Sequence, residues 1–269
     1  MKELYENAEV QKIEQEFRQL TSHPYLNEYI EEAGIEYDYI LFMMELLSDS
    51  SLSADTEREQ ILSALLVQAA FVTHEKVETG GKDAFHDKKP RQLTVLAGDF
   101  FSSLYHSMLD REVHASVIPV FSEAIQKINE EKMSLHFREN ESEDVLLSRL
   151  ALVEGCFLKK IGSFYKKPET GSLAETFFLL KRLVHERKPQ ENCYLSAPAG
   201  SIHAFLEGGS REWSGAWPTD NIEQWLTFHI KRLQKELHQK LHTTTSVGNK
   251  LLYNVLKTWS HDFIKAEMK

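Results

Sequence analysis

The chain has 269 residues, 42% hydrophobic and 27% charged, an ordinary balance for a globular protein with room for one large domain or two small ones. Its 41 acidic residues against 31 Lys and Arg give a net charge of −10. That total argues against a general nucleic-acid binder, which needs a basic face to displace phosphate counterions, but leaves room for a local basic patch.

In chain order, Met1–Phe17 is polar and acidic and does not read as a signal peptide. Leu62, Leu65, Leu66, Ala69 and Val72 then recur at i, i+3, i+4 spacing, the mark of a helix with one apolar face. The run Leu62–Val72, broken by Ser63 and Gln68, is far shorter than the roughly 18–20 apolar residues that cross a bilayer, and a cytoplasmic location is expected. Gly80–Pro90, rich in glycine and lysine, reads as a loop. Arg91–Tyr105 reads as an apolar helix with Gly98 at its centre. Glycine costs about 1 kcal/mol against alanine in a helix, tolerable where a second helix must come close. Asp99 follows directly, and in a central helix it would be buried and in need of a partner.

Pro119 falls within a helical stretch, His114–Phe137, which either begins near Ile118 or kinks at the proline. Phe121, Ile125, Ile128 and Leu135 form its stripe, and Leu146, Leu150, Val153 and Phe157 form the next. Three capping-box patterns, Asn140-x-x-Glu143, Ser172-x-x-Glu175 and Asp220-x-x-Glu223, predict helix starts. Lys188–Pro218 holds three of the seven prolines and four of the twelve glycines, and reads as a loop-rich connection around one short helix near Ser201–Leu206. Trp213 and Trp217 lie in it as aromatic pins. Ile222, Trp225, Leu226, Leu233, Leu237 and Leu241 form the last stripe. No Asn-Gly or Asp-Gly hairpin turn occurs. The prediction is an all-α protein of about ten helices, a single domain over Leu4–Lys265. The two cysteines, Cys156 and Cys193, read as reduced thiols.

Leu96-Ala-Gly-Asp-Phe-Phe101 resembles the LAGD-aromatic helix of the trans-isoprenyl diphosphate synthases. Upstream, Thr73-His-Glu-Lys-Val-Glu-Thr79 resembles that family's first aspartate-rich stretch, LHDDVxD, and Leu65-Leu-Val-Gln-Ala-Ala70 matches the helix leading into it. The motif is degenerate: it consists of His74, Glu75, Lys76, Glu78 and Thr79, with Glu75-Lys76 in place of the paired aspartates and Thr79 in place of the last. Ionising an allylic diphosphate needs Mg²⁺ to neutralise the departing phosphates, and Mg²⁺ wants carboxylate oxygens in near-octahedral array. A lysine inside that cluster repels the metal. No adjacent aspartates occur anywhere to form a second motif, Asp220 and Asp262 being isolated. Lys88-Lys89 echoes the family's diphosphate-binding basic pair.

A more specific resemblance is to component 1 of the heterodimeric heptaprenyl diphosphate synthases of Gram-positive bacteria. Ser22-His-Pro-Tyr25 and Ala124-Ile-Gln-Lys-Ile-Asn-Glu-Glu-Lys-Met133 carry it beside the segments above, from about Ser22 to Leu135, and it weakens after Gly155. It implies an isoprenoid-synthase-like helical bundle acting as a non-catalytic subunit that binds no cofactor itself. The implied partner carries two DDxxD motifs with Mg²⁺ and makes the polyprenyl diphosphate of the menaquinone side chain. By the same resemblance, Leu93, Leu96, Asp99, Phe100, Phe101, Leu104 and Tyr105 border the subunit interface, some of them filling the core. Ala70 and Phe71 take the positions that set product length. Two other readings compete. One is a metal-dependent His-Asp phosphohydrolase, suggested by His86-Asp87 and His261-Asp262; the other is a helical adaptor unrelated to prenyl transfer.

Overall fold

A computed structural model describes residues 7–77, 88–137, 142–187, 202, 219–244 and 247–261. Within them the chain is helical, with ten α-helices and no strand. It divides into two compact units, Met1–Ile118 and Pro119–Lys269.

The first unit contains α1 (Ala8–Thr21), α2 (Pro24–Asn27), α3 (Tyr37–Leu47), α4 (Ala54–Glu75) and α5 (Lys88–Leu109), then a short 3₁₀ turn, Glu112–His114. Local chemistry sets several starts. The Asn7 side chain accepts from the Glu9 amide at 2.8 Å, and Ser53 accepts from the Thr56 amide at 3.2 Å. Proline opens α2, where its missing N–H costs nothing. Every residue from Gln60 to Phe71 is buried, so α4 is a central core helix rather than an amphipathic one. Val10, Ile13 and Phe17 of α1 and Ile40–Met43 of α3 pack in the same core, and α5 lies along α4. Among the described residues no helix is long and apolar enough to cross a membrane.

One polar cluster fixes the exit from α5. His114 is wholly buried, with Nε2 2.9 Å from Glu59 on α4 and Nδ1 3.5 Å from Gln60. Arg111 pairs with the same Glu59. A buried imidazole needs such partners, and these tie the turn after α5 to the start of α4.

The second unit contains most of α6 (Ile118–Phe137), then α7 (Glu143–Phe164), α8 (Pro168–Arg187), α9 (Thr219–Thr243) and α10 (Lys250–His261). Pro119 sits in the first turn of α6, which settles its role as a helix start rather than a kink. The three predicted capping boxes fare differently. Ser172 and Asp220 lie inside α8 and α9, and Asn140 lies outside the described residues. The actual flank of α7 is Ser142, and α8 opens at Pro168 after Lys166 takes a left-handed φ of 60°. Of Lys188–Pro218, only Ile202 is described, helical and fully buried; Trp213, Trp217 and Cys193 lie outside the described residues. Cys156 is a free buried thiol whose pKa burial pushes up.

Helices α7 and α8 form a hairpin of close approach. A Cβ on Gly155 would fall on the Glu175 Cα, and one on Gly171 would sit 2.9 Å from the Lys159 Cα. Lys159 and Glu175 close the same seam with a salt bridge of 2.8 Å. Arg182, 1% exposed, sits deeper in the unit, paired with Glu186 and 4.0 Å from Glu154. Glu131 of α6 accepts from Arg149 of α7 at 2.6 Å and pairs with Lys127 at 2.7 Å. Burial works to raise the Glu131 carboxyl, but these two cations outweigh it and hold it below its ordinary value.

Two outcomes are expected. Alanine at Gly155 gains up to about 1 kcal/mol in helix propensity but meets backbone, which cannot swing aside, so overpacking of about 1–3 kcal/mol decides the sign. Gly155→Ala should therefore lower the urea midpoint, and an unchanged or raised midpoint would contradict the close approach. His229 of α9 is 2% exposed against Glu143. Burial lowers its pKa despite the opposing pull of Glu143, so folding favours the neutral ring. Its contribution is complete above the unfolded value of about 6.5 and erodes as pH falls through that value toward the lower folded one. Unfolding midpoints at pH 7.5 and 5.5 should differ more for the wild type than for His229→Gln, and equal differences would remove His229 from the balance.

Candidate functional site

Three stretches distant in sequence meet in the first unit: Ser22–Glu31, the end of α4 at Thr73–Lys76, and α5 from Lys89 to Tyr105. The meeting point is Gly98. A Cβ there would lie 2.5 Å from the His74 Cε1 and Nε2, so the imidazole occupies the space the missing side chain leaves. The glycine that looked costly in the sequence thus admits one ring from α4. His74 Nε2 also lies 3.6 Å from Asp99 Oδ1. Asp99 is not buried, as its place in a central helix had suggested: its side chain is 65% exposed. Successive helical residues point about 100° apart, so turning Gly98 toward α4 swings Asp99 out to the flank.

Lys76 N–H closes α4 on the Thr73 carbonyl at 3.1 Å, and its ammonium pairs with Glu31 at 3.0 Å. Lys89 donates to the Tyr29 hydroxyl at 2.7 Å and lies 3.9 Å from the Tyr29 ring centroid and 5.2 Å from that of Tyr25. The bond to Tyr29, then Tyr25, raises the Lys89 pKa. His23 meets Phe100 edge-on with ring centroids 6.0 Å apart. The segment after α1 is thereby pinned at His23, Tyr29 and Glu31 to both long helices. Sequence reasoning marked Ser22–Tyr25 only as a resemblance. It missed these clamps, because pairs 45 to 77 residues apart leave no periodic signal.

The predicted motif residues divide. His74, Glu75 and Lys76 end α4 as above, while Glu78 and Thr79 lie outside the described residues. So do His86, Asp87, Asp262 and the His261 side chain, the residues behind the hydrolase reading. Among the described residues, no group of three or more His, Cys, Asp or Glu side chains could hold a metal. At the end of α4 the carboxylate of Glu75 is followed by an ammonium, a donor set that does not suit the all-oxygen shell of Mg²⁺. Beside it lies an open cleft of about 190 Å³, walled by Ile30, Ala33, Ala69, Val72 and Pro90 with Lys76 among its lining residues. Ligand pockets usually run to about 300–1,000 Å³, so this cleft is small for a prenyl diphosphate.

The interface residues divide too. Leu93, Phe101 and Tyr105 are buried in the unit's own core. Leu96 is 57% exposed, Val95 39%, and Phe100 and Leu104 are half-buried. Helix α5 therefore has one face on α4 and one face, partly apolar, toward water. Ala70 and Phe71 are buried within α4.

The family described as heptaprenyl diphosphate synthase (HEPPP synthase) subunit 1 matches residues 23–211. Heptaprenyl diphosphate synthase component 1 of Geobacillus stearothermophilus is 33% identical over 141 residues, which span 52% of this chain and 62% of that relative. In three dimensions the chain resembles octaprenyl pyrophosphate synthase from Helicobacter pylori, with a TM-score of 0.62, 13% identity, and coverage of 93% of this chain and 98% of the other. It also resembles heptaprenyl diphosphate synthase from Staphylococcus aureus, with a TM-score of 0.62, 13% identity, and coverage of 94% and 96%. At such identities these two likenesses establish the isoprenyl diphosphate synthase fold alone. With the family match covering most of the chain, this protein belongs to the heptaprenyl diphosphate synthase subunit 1 family.

Proposed function

We propose that this chain is the non-catalytic subunit of a two-component trans-prenyltransferase making heptaprenyl diphosphate, or a similar long-chain product, for the menaquinone side chain. One observation carries the reading: at the end of α4 an ammonium, Lys76, is paired with Glu31. By the resemblance, catalytic relatives have a metal-binding aspartate at that position. Metal-assisted ionisation then falls to a catalytic partner that bears two DDxxD motifs and holds Mg²⁺, in the cytoplasm. This chain contributes a scaffold. Its role is to hold the partner in its active shape and to help set product length, with Ala70 and Phe71 as the positions to examine.

The open side of α5 supplies the docking face. Leu96, Asp99, Phe100 and Leu104 are its contact residues, with Val95 beside them. Leu93, Phe101 and Tyr105 support it from beneath.

The isolated chain should show no prenyl transfer with Mg²⁺, an allylic diphosphate and isopentenyl diphosphate, and should restore turnover when mixed with a DDxxD-bearing partner. Robust turnover by the isolated chain would sink the reading. Leu96→Asp places a charge on an exposed site, so circular dichroism and the unfolding midpoint should not move while affinity for the partner falls at least about tenfold, the loss of one buried apolar anchor. Phe101→Asp should instead unfold the first unit, because it buries a carboxylate without a partner. Unchanged pairing by Leu96→Asp would show that the docking face lies elsewhere.

A further inference from the structure

The chain as a whole is acidic, with a net charge of −10, yet helices α9 and α10 together hold six Lys and Arg against three acids, Asp220, Glu223 and Glu236, a net charge of +3. Helix α9 concentrates this charge on one side. Its inner face, Trp225, Leu226, Ile230, Leu233, Leu237 and Leu241, is buried. The outer positions are Gln224, Phe228, Lys231, Arg232, Lys235, Gln239 and His242, all exposed. At 100° per residue they fall in a stripe about 100° wide, and at 1.5 Å rise the stripe runs about 27 Å. It contains no acid. Glu236 lies off it and pairs with Lys240 at 2.9 Å. The exposed Glu223 also lies off it, just before Gln224, and Glu143 and Asp144 of α7 act on His229 at its flank. Lys231, Arg232 and Lys235 form no ion pair among the described residues. Phe228, at 63% exposure, is the most open of the large hydrophobic side chains in the described residues. The pattern recurs on α10, where Lys250, Tyr253, Asn254 and Lys257 are its exposed positions.

We propose that this stripe docks the protein on an anionic lipid surface. The cations meet lipid phosphates, and Phe228 enters the headgroup boundary. Charge complementarity argues for that occupant, because a straight, acid-free row of cations with an aromatic at one end suits a flat anionic plane. The apolar face of α9 is already used in the protein core, so the attachment is peripheral and salt-sensitive. The observations do not depend on the functional reading above. If that reading holds, its product is itself a lipid, and docking places the site of synthesis beside the membrane that takes it up.

The test is flotation of the full-length chain with vesicles of phosphatidylcholine, with or without one third phosphatidylglycerol. Binding is expected only to the anionic vesicles, with release when salt rises from about 0.1 M to about 0.5 M as screening tightens. Each basic residue at such a surface strengthens binding about fivefold, so the Lys231→Gln, Arg232→Gln, Lys235→Gln variant should bind on the order of a hundredfold more weakly. Phe228→Ser should weaken binding with charge unchanged. A Lys231→Arg, Lys235→Arg variant should bind as the wild type does, which separates charge from folding; circular dichroism checks all three variants. The proposal falls if anionic vesicles are not bound, or if the neutralised variant binds them equally. It also falls if the neutralised stripe loses affinity only for an acidic protein or a nucleic acid while vesicle binding stays. None of these readouts involves turnover, so failure here leaves the subunit reading standing, and the reverse also holds.

Discussion

The seating of the His74 ring on Gly98 is the contact around which the first unit is arranged. A side chain on Gly98 would displace the end of the His74 ring, which is partly exposed and can turn aside. With the two helices at that distance, Lys76 and Lys89 sit where the segment after α1 can reach them. Its residues Glu31, Tyr29 and His23 then bind one partner each. The same rotation of α5 that faces Gly98 inward points Asp99 and Leu96 outward. Core, clamps and exposed face thus meet on the same stretch of α5.

The ionic character of this region differs from what the fold uses for chemistry. A site that ionises a diphosphate concentrates carboxylates that repel one another until metal arrives. Here the end of α4 carries an ammonium, Lys76, paired with Glu31, while His74 lies 3.6 Å from Asp99. The second unit shows the same economy. Arg182 sits with Glu154 and Glu186, and Glu131 with Lys127 and Arg149. Breaking one member of such a buried group strands its partner, which costs more than the intact pair contributes.

Much of this was legible in the sequence. The i, i+3, i+4 stripes marked the core residues of α7 and α9, because helical burial repeats along the chain itself; in α6 Phe121 and Ile128 are buried but Ile125 and Leu135 only half-buried, and α4 is buried all round from Gln60 to Phe71, not along one face. Gly98 marked a close contact, which is with the His74 ring rather than a second helix backbone, and of the two readings of Pro119, start or kink, the structure shows the start. The capping boxes misled at Ser172 and Asp220, since S-x-x-E and D-x-x-E also occur inside helices. The better signal for α8 was Pro168, since proline fits best in a helix's first turn. Asp99 was misplaced because periodicity gives the faces of a helix but not which face a neighbour covers. The clamps at Lys76 and Lys89, and the Glu59–His114–Arg111 cluster, join residues far apart in sequence. Only the packed chain brings them together.

The open row on α5 has a consequence for how the protein exists in a cell. Val95 and Leu96 are exposed on α5, and among the described residues nothing closes over them. Neighbouring apolar side chains on an otherwise charged surface attract like surfaces as readily as intended ones. A copy made in excess of whatever covers this row is thus prone to self-association and to the quality-control machinery that removes sticky chains. If α5 is the docking face proposed above, the balance of supply between this chain and its partner bears on how much of it persists.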